Sequence, residues 1–205
     1  MKGRAVFLMV LSVQVLSCRA PHIVGTTYFA ENGIERMPVN LLREEGPMVI
    51  KGIYLSAPPL FQQPLIMTLI KKQIGYALLD APLPYESGDY LEIHGETRVN
   101  LDLKELRLQT ELKNVRRIAS YAALFNHAQR DYCFFLDAAE AKVADCPQKL
   151  PPFPQFLAVL DEKENAFVAF FSAADLLYSA QIDLVYDVTA RKLNRIYIDC
   201  HFKGE

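Results

Sequence analysis

Tryptophan is absent from the 205 residues, and only four cysteines and nine glycines are present. No Cys-x-x-Cys occurs, which removes the paired-thiol zinc and dithiol redox motifs. The four histidines, His22, His94, His127 and His201, lie too far apart for a sequence-local metal site. There is no Gly-x-Ser-x-Gly elbow, Ser-x-x-Lys pair or glycine-rich phosphate loop. No catalytic residue, metal ligand or cofactor is therefore expected. A basic excess is missing too, with 22 Lys and Arg against 24 Asp and Glu. Nucleic-acid binding draws its affinity from neutralised phosphates, so a nucleic-acid partner is not expected. Beyond the first eighteen residues no apolar run approaches the about 20 residues that a spanning helix needs; Asp161 to Glu164 and Asp175 interrupt the longest ones.

The chain begins with Lys2 and Arg4, followed by an uncharged and mostly apolar run from Ala5 to Ser17. That pattern suits the core of a cleaved secretion signal and is too short to span a bilayer comfortably. Val15-Leu16-Ser17-Cys18 resembles the lipobox of bacterial lipoproteins. Val15 and Ser17 fit it; Leu16 is a less usual occupant. The resemblance implies removal of residues 1–17 and acylation of Cys18 by palmitate-type chains, and ordinary signal cleavage after Ser17 is the alternative. It further implies membrane attachment through lipid alone in the cell envelope. Arg19 follows the cysteine where an aspartate would often direct inner-membrane retention, so the expectation is the outer membrane, facing the periplasm. Removal of residues 1–17 leaves 20 basic against 24 acidic residues, a formal charge of −4. The remaining Cys133, Cys146 and Cys200 are an odd set in which one disulfide is expected in an oxidising compartment; all three as buried thiols is the competing reading.

Residues 18–46 carry Pro21, Gly25, Gly33, Pro38 and Gly46 without sustained periodicity, and read as the lipidated N-terminus and a tether, with one short strand at Ile23 to Phe29. From Pro47 the pattern is that of strands: Val49 to Tyr54, Leu65 to Ile70, Ile74 to Leu79, Tyr90 to Glu96, and Leu106 to Val115. Lys71-Lys72-Gln73 separates the second and third as a hairpin. Lys51-Gly52, where a strand can bend, and Gly88-Asp89-Tyr90-Leu91-Glu92-Ile93-His94-Gly95-Glu96 resemble the first and fourth strands of an OB-fold, the five-stranded Greek-key barrel. The likeness covers residues 47–118.

Residues 119–205 repeat that order less clearly. Tyr132 to Val143 suits a strand or, through its alanines, a helix. Phe156 to Leu160 and Ala166 to Phe171 flank the polar turn Asp161 to Asn165, Ser172 to Ala180 reads as a short helix, and Gln181 to Val188 and Leu193 to Phe202 form a last hairpin. The expected fold is mainly β, with small OB-like barrels in tandem. A single α+β domain, in which residues 118–146 form two helices on one sheet, is the alternative.

An OB barrel usually receives ligands on its second and third strands. Here that face would hold Thr68, Lys71, Lys72 and Tyr76, rimmed by Pro82 to Glu86, and the lysines suit an acidic or sugar-bearing partner. Tyr54, Tyr76 and Tyr90 could stack on bases or sugars, although core packing accounts for them more economically. His94 beside Glu92 and Glu96 reads as a solvated strand face rather than a metal site. The sequence favours a lipid-anchored, non-catalytic binding or assembly module with an envelope-protein partner. An OB-type oligonucleotide or oligosaccharide binder, and an envelope hydrolase with dispersed residues, are the alternatives.

Overall fold

A computed structural model describes residues 22–139, 155–174 and 178–202. The protein is mainly β, built from two sheets. The first half contributes β1 (His22–Val24), α1 (Tyr28–Glu31), β2 (Glu35–Asn40), β3 (Gly46–Leu55), β4 (Leu65–Ile70), β5 (Gln73–Leu78), β6 (Asp89–Asn100), β7 (Glu105–Gln109) and β8 (Val115–Ser120). Seven of these strands form one sheet in the order β2-β5-β4-β3-β6-β7, with β8 also pairing with β6. β4 and β5 read as near-continuous apolar runs because both of their faces are largely covered, whereas β8 and the far part of β6 carry exposed charges. Ile50, Tyr54, Ile66, Ala77, Leu79, Leu91, Ile93 and Leu108 enclose a small core on one face. Ile53, Leu55, Leu65, Met67, Ile74, Leu78 and Tyr90 face a larger core that is shared with the second sheet. An isolated parallel bridge, Leu79 to Leu108, brings the end of β5 against β7, and the Asp80 N–H donates to the Leu108 carbonyl at 3.1 Å.

Two glycines permit the close strand approaches. A Cβ on Gly52 would stand 2.2 Å from the Met67 carbonyl oxygen, and one on Gly95 would stand 2.4 Å from that of Gln109. Close backbone approach of this kind is what a glycine inside a strand allows. The β3–β4 ladder covers only Ile53–Leu55 opposite Leu65–Met67; Gly52 still touches Met67, and from Lys51 backward the two strands part.

The second half supplies α2 (Ala122–Ala139), β9 (Gln155–Asp161), β10 (Ala166–Ala174), β11 (Tyr178–Asp187) and β12 (Lys192–Phe202). The four strands form an antiparallel meander, and β1 joins its β12 edge in parallel, giving five strands in the order β1-β12-β11-β10-β9. One face is covered by α2, where Tyr132 stacks on Phe171 at 4.2 Å, Phe125 stacks on Phe156 at 4.5 Å, and the Tyr186 hydroxyl donates to Asp131 at 2.6 Å. The other face receives α1: Phe29 meets Phe170 edge-on at 5.1 Å, and Tyr28 meets Tyr197 at 5.8 Å. Such aromatic pairs add about 0.5–1.5 kcal/mol each beyond the area they bury.

Several expectations are corrected. The tether expected over 18–46 belongs to the fold from His22 onward, with Tyr28 and Phe29 in the core and Thr27 capping α1. The single strand expected over Ile23 to Phe29 is β1 followed by α1. The strand expected over Leu106 to Val115 is β7, a 3-10 turn at Leu112–Asn114, and β8. Consequently the boundary expected at 118 falls inside β8, and one core runs across it. The helix expected over Ser172 to Ala180 is displaced by β10 and β11, paired through Ser172–Gln181, Ala173–Ala180 and Ala174–Ser179. Local helix propensity loses there to the cross-strand ladder. The second half does not repeat the order of the first, since α2 precedes a plain meander. The two helices expected over 118–146 are represented, within the described residues, by α2 alone. Residues 1–17 and Cys18 lie outside the described residues.

Candidate functional site

Where β3 and β4 part, a slot of about 670 Å³ opens. Met48 to Gly52 form one wall and Met67 to Lys72 the other; Asn32 and Ile34 from the α1–β2 connection and Leu160 to Glu164 from the β9–β10 turn complete it. Both halves of the chain therefore contribute. Its volume lies within the roughly 300–1,000 Å³ of small-ligand sites.

Lys71 and Lys72 form the tip of the two-residue β4–β5 hairpin, with φ of +46° and +67°. Two positive φ values define the mirror-image turn whose twist matches a hairpin, and glycine or asparagine usually fills it. Lysine at both positions carries a backbone cost that these side chains do nothing to relieve. Among the described residues neither lysine forms an ion pair. The other charges around the slot are engaged. Lys51 pairs with Glu92 at 2.9 Å, and Lys163 with Glu164 at 3.8 Å. Asp161 accepts from the Tyr28 hydroxyl at 2.9 Å and from the Lys163 and Glu164 N–H groups, which fixes the β9–β10 turn. Glu162 accepts from the Tyr90 hydroxyl; burial first, then this carboxylate, raises the pKa of that tyrosine.

Of the face expected from sequence, Thr68, Lys71 and Lys72 line the slot. Tyr76 does not: it packs on Phe61 with ring centroids 4.6 Å apart. The expected rim also lies elsewhere. Pro82, Leu83 and Pro84 border a separate cavity of about 810 Å³ with His94, Glu96 and Thr110. Tyr54 is fully buried and donates to the Leu83 carbonyl at 3.3 Å, Tyr90 is buried, and Tyr76 is half-buried against Phe61. Val49, Lys51 and the β9–β10 turn were not legible as parts of a site, because only the tertiary fold brings residues 160–164 beside residues 48–52.

On the outer surface Glu92 gathers Lys51, His94 at 3.3 Å and Arg116 at 3.1 Å, and hydrogen bonds from these groups, Lys51 first, pull its pKa down to about 2. His94 is thus a partner of a carboxylate on an exposed strand face. Among the described residues no group of three His, Cys, Asp or Glu side chains is placed to hold a metal ion. Cys200 is disulfide-bonded; the Cys133 side chain and Cys146 lie outside the description. No helix among the described residues is long and apolar enough to cross a membrane.

Comparison with protein families, with curated proteins and with solved structures finds no match to this chain.

Proposed function

We propose that the protein is a non-catalytic binding or assembly module of the bacterial cell envelope, lipid-anchored through Cys18, which takes an envelope-protein partner at the slot between β3 and β4. The observation that carries the reading is the pair of unpaired lysines held in a costly turn at the mouth of a slot that both halves of the chain build. Strain of this sort persists where the surrounding structure imposes it, and it concentrates at functional sites. In support of an OB-like barrel for residues 47–118, β3 pairs with β4 and β6, β4 with β5, and β6 with β7, while the parallel bridge Leu79 to Leu108 draws β5 toward β7. Oligonucleotide binding is disfavoured by the engagement of Tyr54, Tyr76 and Tyr90.

Two measurements test the reading. Cys18→Ala should move the protein from the membrane to the soluble periplasmic fraction, and intact-mass analysis of the native protein should show added acyl mass. An unmodified mature protein beginning elsewhere removes the anchor. Lys71→Glu with Lys72→Glu should abolish co-purification of the cross-linked envelope partner, and undiminished co-purification removes the slot.

A further inference from the structure

Resting on the slot as the binding site, we infer that its occupant is an extended, acidic segment of the partner protein, added as a strand between β3 and β4. Both walls are strands with unused edges. β3 runs from Gly46 to Leu55 and pairs with β6 over Gly46 to Ile53, yet meets β4 only from Ile53. β4 pairs with β5 along its whole length, Leu65 to Ile70, yet meets β3 only up to Met67. In an antiparallel ladder alternate residues turn their N–H and C=O groups to opposite sides. About half the backbone groups of residues 46–51, the missing N–H of Pro47 aside, and those of alternate residues in 68–70 therefore point into the slot without a strand to receive them. A peptide laid between the two edges pairs with both, which is the backbone-driven mode of strand addition.

Side chains set the character of the segment. Val49 and Ile70 are 60% and 46% exposed at the two edges, and with Leu69 and Leu160 they offer apolar contact to alternate residues of an inserted strand. Lys51 and Lys163 each face a carboxylate, so the cations of the slot without an ion-pair partner among the described residues are Lys71 and Lys72, and they call for acidic residues at that end. Lysine is also a common guard of free strand edges against aggregation. A guard repels strands regardless of their charge, and so the two roles give opposite results.

The test is selection of a phage-displayed random heptapeptide library on the full-length protein, with K71E/K72E as counter-selection. Enriched sequences should lack proline and concentrate Asp and Glu at one end. Remade as fluorescein-labelled peptides, they should bind at least about tenfold more weakly to K71E/K72E, with K71Q/K72Q intermediate, and about tenfold more weakly after N-methylation of two central amides. Hydrogen exchange should slow at amides within 48–52 and 68–70 when the peptide binds. Absence of enrichment over the counter-selection, or exchange unchanged at both edges, overturns the inference. Loss of binding on charge reversal without any effect of N-methylation rejects strand addition and leaves the lysine site standing. Equal peptide binding by K71E/K72E, together with undiminished partner co-purification, rejects both.

Discussion

Gly52 and Gly95 show how one missing side chain shapes a sheet. Each sits where a Cβ would press on a backbone carbonyl, Met67 for Gly52 and Gln109 for Gly95, and a backbone atom cannot swing aside as a side-chain tip can. Gly52→Val and Gly95→Val should each cost on the order of 1–3 kcal/mol through overpacking. Urea midpoints read this cost, and a melting temperature unchanged within about a degree for both variants would reject the placement. These two positions were legible in the sequence, because a glycine inside an alternating apolar run has few explanations other than a bend or a close approach. Tyr76 was not legible: period two gives the face of a strand, but only the fold reveals that Phe61 covers it.

Among the elements, the β4–β5 hairpin combines a readable turn with an unreadable conformation. Two lysines between apolar runs mark a loop, but nothing in their identity announces φ of +46° and +67°. A left-handed residue with a Cβ costs roughly 1–2 kcal/mol, so Lys71→Asn with Lys72→Gly should stabilise the protein by about 1–2 kcal/mol, measured by thermal and urea unfolding, while losing the partner. A variant no more stable than the native chain would show that the turn is not under strain. The β9–β10 hairpin was legible from its polar pentapeptide Asp161 to Asn165. By contrast, the stretch from Ser172 onward was misread, since serine and alanine favour a helix only when no neighbouring strand claims their backbone. Here Phe171 to Ala174 are claimed by β11.

At the scale of the whole molecule a buried ion pair joins the two sheets. Arg36 on β2 donates to Asp183 on β11 at 3.2 Å and to the Phe171 carbonyl at 2.9 Å, while the Tyr28 N–H donates to the second Asp183 oxygen at 2.8 Å. Arg36 Nε and Nη1 are buried without a partner among the described residues. Burial, opposed by Arg36, pushes the Asp183 pKa from 3.8 up to about 6. The folded state therefore holds a proton that the unfolded chain has released between those values, and this group's contribution to stability falls as pH rises from about 4 to about 6. Asp183→Asn should remove that slope from urea midpoints measured across the interval; an unchanged slope would assign it to other groups. Glu92 acts in the opposite sense and lower, between its ordinary 4.5 and about 2, so the two windows overlap near pH 4 and the Asp183 slope stands alone above about pH 5. The joining of the sheets was beyond sequence reading, because charge patterns along a strand do not reveal which distant strand supplies the counter-charge. It also bears on where the molecule can stand. Because β1 begins at His22 and is fixed along β12, an acylated Cys18 would be separated from the folded body by four residue steps, at most about 14 Å of extended chain. With such an anchor the body would lie against the lipid surface, and a partner would have to come to the membrane to be met.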